Sequence, residues 1–87
     1  MGERMIGTVS DFFSHLSVAG IDLIDTLKKG ERIHIMGHTT DMVQTVESLQ
    51  IDRKEVIEAG AGQAVGVKVT DRVRPGDTVF RVTSGSL

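Results

Sequence analysis

Ala59-Gly60-Ala61-Gly62-Gln63-Ala64-Val65-Gly66-Val67-Lys68-Val69 sets a glycine pair in front of alternating valines. Val65, Val67 and Val69 fall on one face of an extended chain, which marks a strand with that face in the core. Gly60 and Gly62 let the chain turn with positive φ before the strand, and Gly66 within it permits strong local coiling. A coiled strand entered through a tight turn belongs to a small, curved β fold.

The flanking sequence keeps the same rhythm. In Arg32-Ile33-His34-Ile35-Met36 the two isoleucines share one face, and Arg32 and His34 point the other way. Residues 28–31 before this strand and 37–40 after it read as turns. Arg74-Pro75-Gly76-Asp77 is a Pro-Gly turn leading into a final strand over 78–83. Two stretches admit competing readings. From Met42 to Ile51 the apolar residues do not keep one parity, so a strand needs a bulge there, while a short helix fits Val43, Val46 and Leu49; the β-branched content favours the strand. Between Asp11 and Leu27 a short helix competes with two strand segments, and Gly20 with the Ile21/Leu23 alternation favours the segments. Turn signals every eight to twelve residues point to a small barrel or sandwich. With no repeat and no linker, residues 1–87 are expected to form a single domain, frayed at 1–4 and 84–87.

Composition narrows the function classes. The 87 residues include no cysteine, which excludes disulfide staples, zinc ribbons and a thiol nucleophile. Three phenylalanines and no Trp or Tyr leave an aliphatic core and few rings for base stacking. The net charge of −2 argues against coating nucleic acid by charge alone. No signal-peptide run follows Met1 and no stretch is long and apolar enough to span a membrane, so the expected compartment is the cytoplasm.

Candidate chemistry is sparse. Lys68, Arg72 and Arg74, with Arg81 on the next strand, form the best local positive feature, since residues 66–87 hold four Lys or Arg against two Asp. Guanidinium forks suit phosphate oxygens, but a charged strand edge that resists aggregation explains the same residues. His34, His38 and Asp41 lack the spacing that would define a third metal ligand, so no metal site is expected. Asp11, Ser14 and His15 are neighbours in sequence without the arrangement that activates a nucleophile. No active site and no cofactor are expected.

Six segments recur together in a known order: 7–9, 18–20, 26–33, 46–50, 59–69 and 74–79. In this order the chain resembles the second domain of the translational GTPases, such as elongation factor Tu, over roughly residues 5–82. That resemblance implies a closed Greek-key β-barrel of about six or seven strands that binds RNA or a ribonucleoprotein, at the tRNA end or on the ribosome. Glu47 then falls where the family's glutamate meets the terminal nucleotide of tRNA, and Gln50 replaces the arginine expected three residues later. The loop over 14–17 replaces a glycine-rich segment. No G-x-x-x-x-G-K-[ST] string is present, so GTP binding is not expected. The site implied is Glu47, Gln50, Lys68, Arg72, Arg74 and Arg81. The alternative is a protein-interaction module of the kind appended to enzymes such as U32-type peptidase-like proteins, whose C-terminal barrel this chain also resembles. An exposed apolar patch distinguishes the second reading from the coherent positive face of the first.

Overall fold

The computed structural model describes residues 2–83, and every described segment of regular structure is a strand. In chain order these are β1 (Gly2–Phe13), β2 (Val18–Leu23), β3 (Leu27–Lys28), β4 (Arg32–Met36), β5 (Asp41–Thr45), β6 (Leu49–Ile51), β7 (Lys54–Glu55), β8 (Glu58–Ala59), β9 (Ala64–Lys68) and β10 (Thr78–Thr83). Eight of them form one sheet in the order β5-β4-β10-β1-β2-β9-β6-β7, and β3 pairs with β8 apart from it. All pairings are antiparallel.

The twelve residues of β1 serve two neighbours. Residues 2–8 pair with β10 and residues 7–13 pair with β2, with register shifts at Met5/Gly7 and Val9/Asp11. Each irregularity bends the strand and increases its twist, so the sheet coils around its own apolar face. Ile6 and Val9, Ile21, Ile33 and Ile35, Val65 and Val67, and Val79 meet there in one buried cluster. This core is aliphatic, as its composition requires. The Ile33/Ile35 and Val65/Val67/Val69 faces are buried as their alternation demands. None of the three phenylalanines belongs to the fully buried set, and Phe13 is 49% exposed.

Several expectations need correction. Residues 2–4 are part of β1, where Gly2, Glu3 and Arg4 pair with Thr83, Val82 and Arg81; residues 1 and 84–87 lie outside the described residues. The stretch 42–51 is two strands separated by Val46, Glu47 and Ser48, not one bulged strand. Gly62 has positive φ (87°), whereas Gly60 is not in the left-handed region. Nor is a closed barrel found among the described residues, since the hydrogen-bonded order has two ends, at β5 and β7.

The reason lies beyond β9. After Lys68 the chain leaves strand geometry until Thr78, so no strand is present to pair with β5 across the seam. Gln44 on β5, nearly buried, fills the gap. Its Nε2 donates to Lys68 O at 2.7 Å, and its Oε1 accepts from Thr70 N–H at 2.8 Å. One primary amide thus makes the two bonds that a residue of a neighbouring strand would make. The Pro75-Gly76 turn is tied down next to this seam. Gly76 has φ 96°, as a type II turn requires at that position. Val9 N–H donates to Asp77 O and Gly76 N–H to Val9 O, both at 2.8 Å. The buried Asp77 carboxylate accepts Arg74 N–H at 2.8 Å and lies so close to Gly37 that a Cβ there would collide with it.

Replacing Gln44 by Ala leaves Lys68 O and Thr70 N–H unpaired, and urea unfolding should show a loss of about 1–3 kcal/mol. A loss below about 0.5 kcal/mol would mean that water serves these groups equally well. The β6–β7 hairpin turns through Asp52 (φ 52°) and Arg53 (φ 67°), a primed-turn geometry without glycine. Arg53→Gly should therefore raise the urea midpoint, by about 0.5 kcal/mol in stability, and Arg53→Val should lower it.

Candidate functional site

Cross-strand register builds one continuous outer face on β1, β10, β4 and β5. Met5 pairs with Phe80, Phe80 with His34, and His34 with Val43, which makes a row across all four strands. Thr8, Thr78, Met36 and Asp41 form the row on one side, and Glu3, Val82, Arg32 and Thr45 the row on the other. Directly opposite residues share a face of the sheet. Met5 (44%), Met36 (41%) and Val43 (46%) are exposed there, with Phe80 and Val82 half-buried between them.

His34 sits at the centre. Its Nδ1 lies 2.7 Å from Glu3 Oε2 and its Nε2 lies 2.6 Å from Asp41 Oδ1. The ring is tilted 47° against that of Phe80, with centroids 6.3 Å apart. The imidazole therefore clasps β1 to β5 over two intervening strands. The Asp41 hydrogen bond, then that of Glu3, raises the His34 pKa above its ordinary value of 6.5, with partial burial opposing them. Both ring nitrogens donate only in the charged ring, so the clasp is complete when His34 is protonated.

The sequence-derived site residues do not come together. Glu47, in the loop between β5 and β6, and Lys68 line one cleft of about 690 Å³ beside Gln44. Arg72 and Arg74 line another of about 250 Å³ with Asp41 and Asp71. Gln50 lines a third of about 380 Å³ with Phe13 and Leu16. Arg81 is elsewhere, because β10 pairs with β1 and β4 and not with the Lys68–Arg74 segment. It faces the end of the core, donating to Thr26 O at 2.6 Å, with Asp25 Oδ2 at 3.7 Å and Glu31 Oε2 at 3.9 Å. The backbone N–H of Thr26 is the main influence holding Asp25 below the usual carboxylate pKa, helped by Arg4 and Arg81. No coherent positive face forms among the described residues. His34 does meet Asp41, but its second partner is Glu3 and not His38. Glu3 lies 31 residues from His34 in the chain, and no sequence spacing signals that contact.

No family model matches the chain. It is 46% identical over 76 residues to an uncharacterized protease of Methanocaldococcus jannaschii, a match covering 86% of this chain and 19% of that protein. It is 33% identical over 81 residues to a collagenase of Porphyromonas gingivalis, covering 91% of this chain and 22% of the collagenase. The C-terminal domain of a Geobacillus thermoleovorans protein assigned to the U32 peptidases superposes with a TM-score of 0.85 at 17% identity, over 92% of this chain and 93% of that domain. Its selenomethionine variant gives 0.82 at 18% identity, over 87% and 96%. This chain has the fold of a U32 peptidase C-terminal domain.

These findings overturn the resemblance to the translational GTPases, and with it the RNA-binding reading. The segments that suggested it, Ala59–Val69 and Arg74–Val79, encode a glycine turn, a coiled strand and a Pro-Gly turn. Such features follow from bending a small antiparallel sheet and carry no information about RNA. The chain spans about a fifth of the curated relatives that it matches.

Because the His34 pKa is raised on folding, its stabilising contribution is complete below the ordinary value of 6.5 and is lost as pH rises through the raised value, provided that Glu3 and Asp41 are ionised. Thermal melts of the wild type and His34→Gln should therefore differ most near about pH 5.5 and converge by about pH 9. A gap that widens with rising pH would contradict the clasp.

Proposed function

We propose that this chain is a non-catalytic docking module of U32-peptidase-like proteins, folding as one domain and holding its β1-β10-β4-β5 face against a protein partner. The observation that carries this is the alignment: 46% identity runs over most of the chain yet accounts for only 19% of the protease. The partner that this suggests is the remaining part of such a protein, in the same chain or another. The outer face suits the task, because exposed Met5, Met36 and Val43 surround half-buried Phe80, with Glu3, Arg32 and Asp41 at the rim. A domain of the same fold has been crystallised by itself, which supports independent folding. The lack of cysteine suits a reducing cytoplasm.

The test mixes the purified chain with the M. jannaschii protease lacking the matching segment and measures association by calorimetry. Binding should change little between about 0.1 and 0.5 M salt, since burial of apolar surface is not screened. Val43→Lys with Met36→Lys should weaken it by about 2 kcal/mol, roughly thirtyfold. Absence of association at both salt concentrations, or binding indifferent to these two substitutions, would rule the reading out.

A further inference from the structure

The outer side of β2 and β9 carries a bare strip. Cross-strand pairing runs from Asp11 to Gly20, from Gly20 to Gly66 and from Gly66 to Gln50, so two glycines stand opposite each other at its centre. Neither has φ in the left-handed region, so backbone conformation does not demand glycine at either position. A Cβ on Gly66 would meet one heavy atom within 4 Å beyond its chain neighbours, Val18 Cγ1 at 3.3 Å, and one on Gly20 would meet Ser10 Oγ at 3.2 Å. Glycine weakens a strand that a side chain would strengthen. What the pair leaves in return is a flat floor of peptide groups with open space above Gly66.

Strand order raises a wall on each flank of this floor, because β1 lies on one side of β2 and β9 and the β6–β7 hairpin on the other. Phe13 and Leu16, where β1 turns into β2, line the same cleft of about 380 Å³ as Asp52 and Arg53, where β6 turns into β7. Phe13 is 49% and Leu16 64% exposed, so the apolar wall continues outside the cleft. Charge is mixed: Asp11, Asp52 and Arg53 line the cleft, and Asp22 and Lys68 stand in the rows on either side of the glycines. No strongly charged ligand is selected. Hydrogen-bond acceptors do surround the floor, on Ser10, Asp11, Gln50 and Asp52.

An aromatic ring laid over a strand glycine shields its peptide groups and restores the packing that the missing side chain forfeits. Among the described residues no ring of this chain lies on Gly66. Phe12 packs towards the core, and Phe80 lies on another face against His34.

We propose that this cleft receives a tryptophan or tyrosine side chain from a protein partner. The ring lies on Gly20 and Gly66 with its edge towards Phe13, and its N–H or O–H donates to the carboxylate of Asp11 or Asp52. A protein is the better source than a free small molecule, because none of the buried polar side chains, Thr40, Gln44 and Asp77, lines the cleft to fix a ligand from within. Exposed Phe13 and Leu16 instead offer contact to the residues that flank an anchor. About four-fifths of each curated relative lies outside the matching segment and is available to supply one. A second copy of this chain is not, since it contains neither tryptophan nor tyrosine. The cleft shares no residue with the rows of the β1-β10-β4-β5 face and does not depend on docking there.

The probe is an acetylated, amidated five-residue peptide with one tryptophan among glycines and serines. Its fluorescence is read without background from the chain, and its binding is mapped on the ¹⁵N-labelled 87-residue protein. A Kd of about 1 mM is expected. The amides of Gly20, Gly66 and Gln50 should shift, and the glycine Hα resonances should move upfield, as protons beneath a ring face do. The leucine-for-tryptophan peptide, which has neither ring nor donor, should bind at least about tenfold more weakly. That comparison uses the wild-type chain and does not depend on a variant folding. Gly66→Thr, whose side chain occupies the floor, should weaken the tryptophan peptide by about tenfold while the remaining amide spectrum is retained. Equal binding of the two peptides, a folded Gly66→Thr variant that binds as wild type does, or glycine resonances unmoved at about 10 mM peptide would overturn the proposal. Free indole bound more tightly than the peptide would assign the cleft to a small molecule, and a concentration-dependent dimer that shifts the same glycines without peptide would assign it to a second copy; either result overturns the proposal too.

Discussion

No helix covers the sheet among the described residues, so the sheet must cover itself. That constraint governs the rest of the molecule. A flat eight-stranded sheet would leave Ile21, Ile33, Val65 and Val67 in water, at a cost of about 1.5–3 kcal/mol for each large side chain. Coiling brings them into one cluster, and β1, with its two register shifts, supplies much of the curvature. Coiling without closure leaves a seam. There the Gln44 amide stands in for strand pairing and satisfies Lys68 O and Thr70 N–H.

The outer face follows from the same strand order. Placing β10 between β1 and β4 lines up Met5, Phe80, His34 and Val43, residues from opposite ends of the chain, as one row that is apolar except at His34. His34 then gains two carboxylates that belong to strands it does not pair with equally: Asp41 on its neighbour β5, and Glu3 beyond β10. Charge at the centre of this row therefore depends on protonation, and the surface around it remains apolar. The basic residues go elsewhere: Arg81 joins an ion-paired cluster with Asp25 and Glu31, and Lys68, Arg72 and Arg74 border the seam.

Legibility in the sequence tracked how local each cause was. The 32–36 and 64–69 strands and the Pro75-Gly76 turn could be read because alternation and turn chemistry act over a few residues. The β6–β7 hairpin could not, because Asp52-Arg53 adopts positive φ without the glycine that usually announces such a turn. The break at 46–48 was hidden by β-branched residues that suit a strand, while the bonds linking Val46 to Glu31 and Gly30 belong to contacts from another part of the chain. The likeness to translational GTPases misled for a related reason. Shared turns and coiled strands reflect shared bending, which proteins of different function require alike.

By itself the sequence determined an all-β domain, an aliphatic core, the absence of thiol chemistry, and which strand faces look inward. Those properties depend on composition and on a period of two along the chain. Tertiary structure alone decided that the sheet stays open at β5, that Glu3 reaches His34, that Arg81 leaves the basic string, and that Gln44 bridges the seam. Each depends on strand order, which sets which distant residues become neighbours, and no local pattern encodes that order.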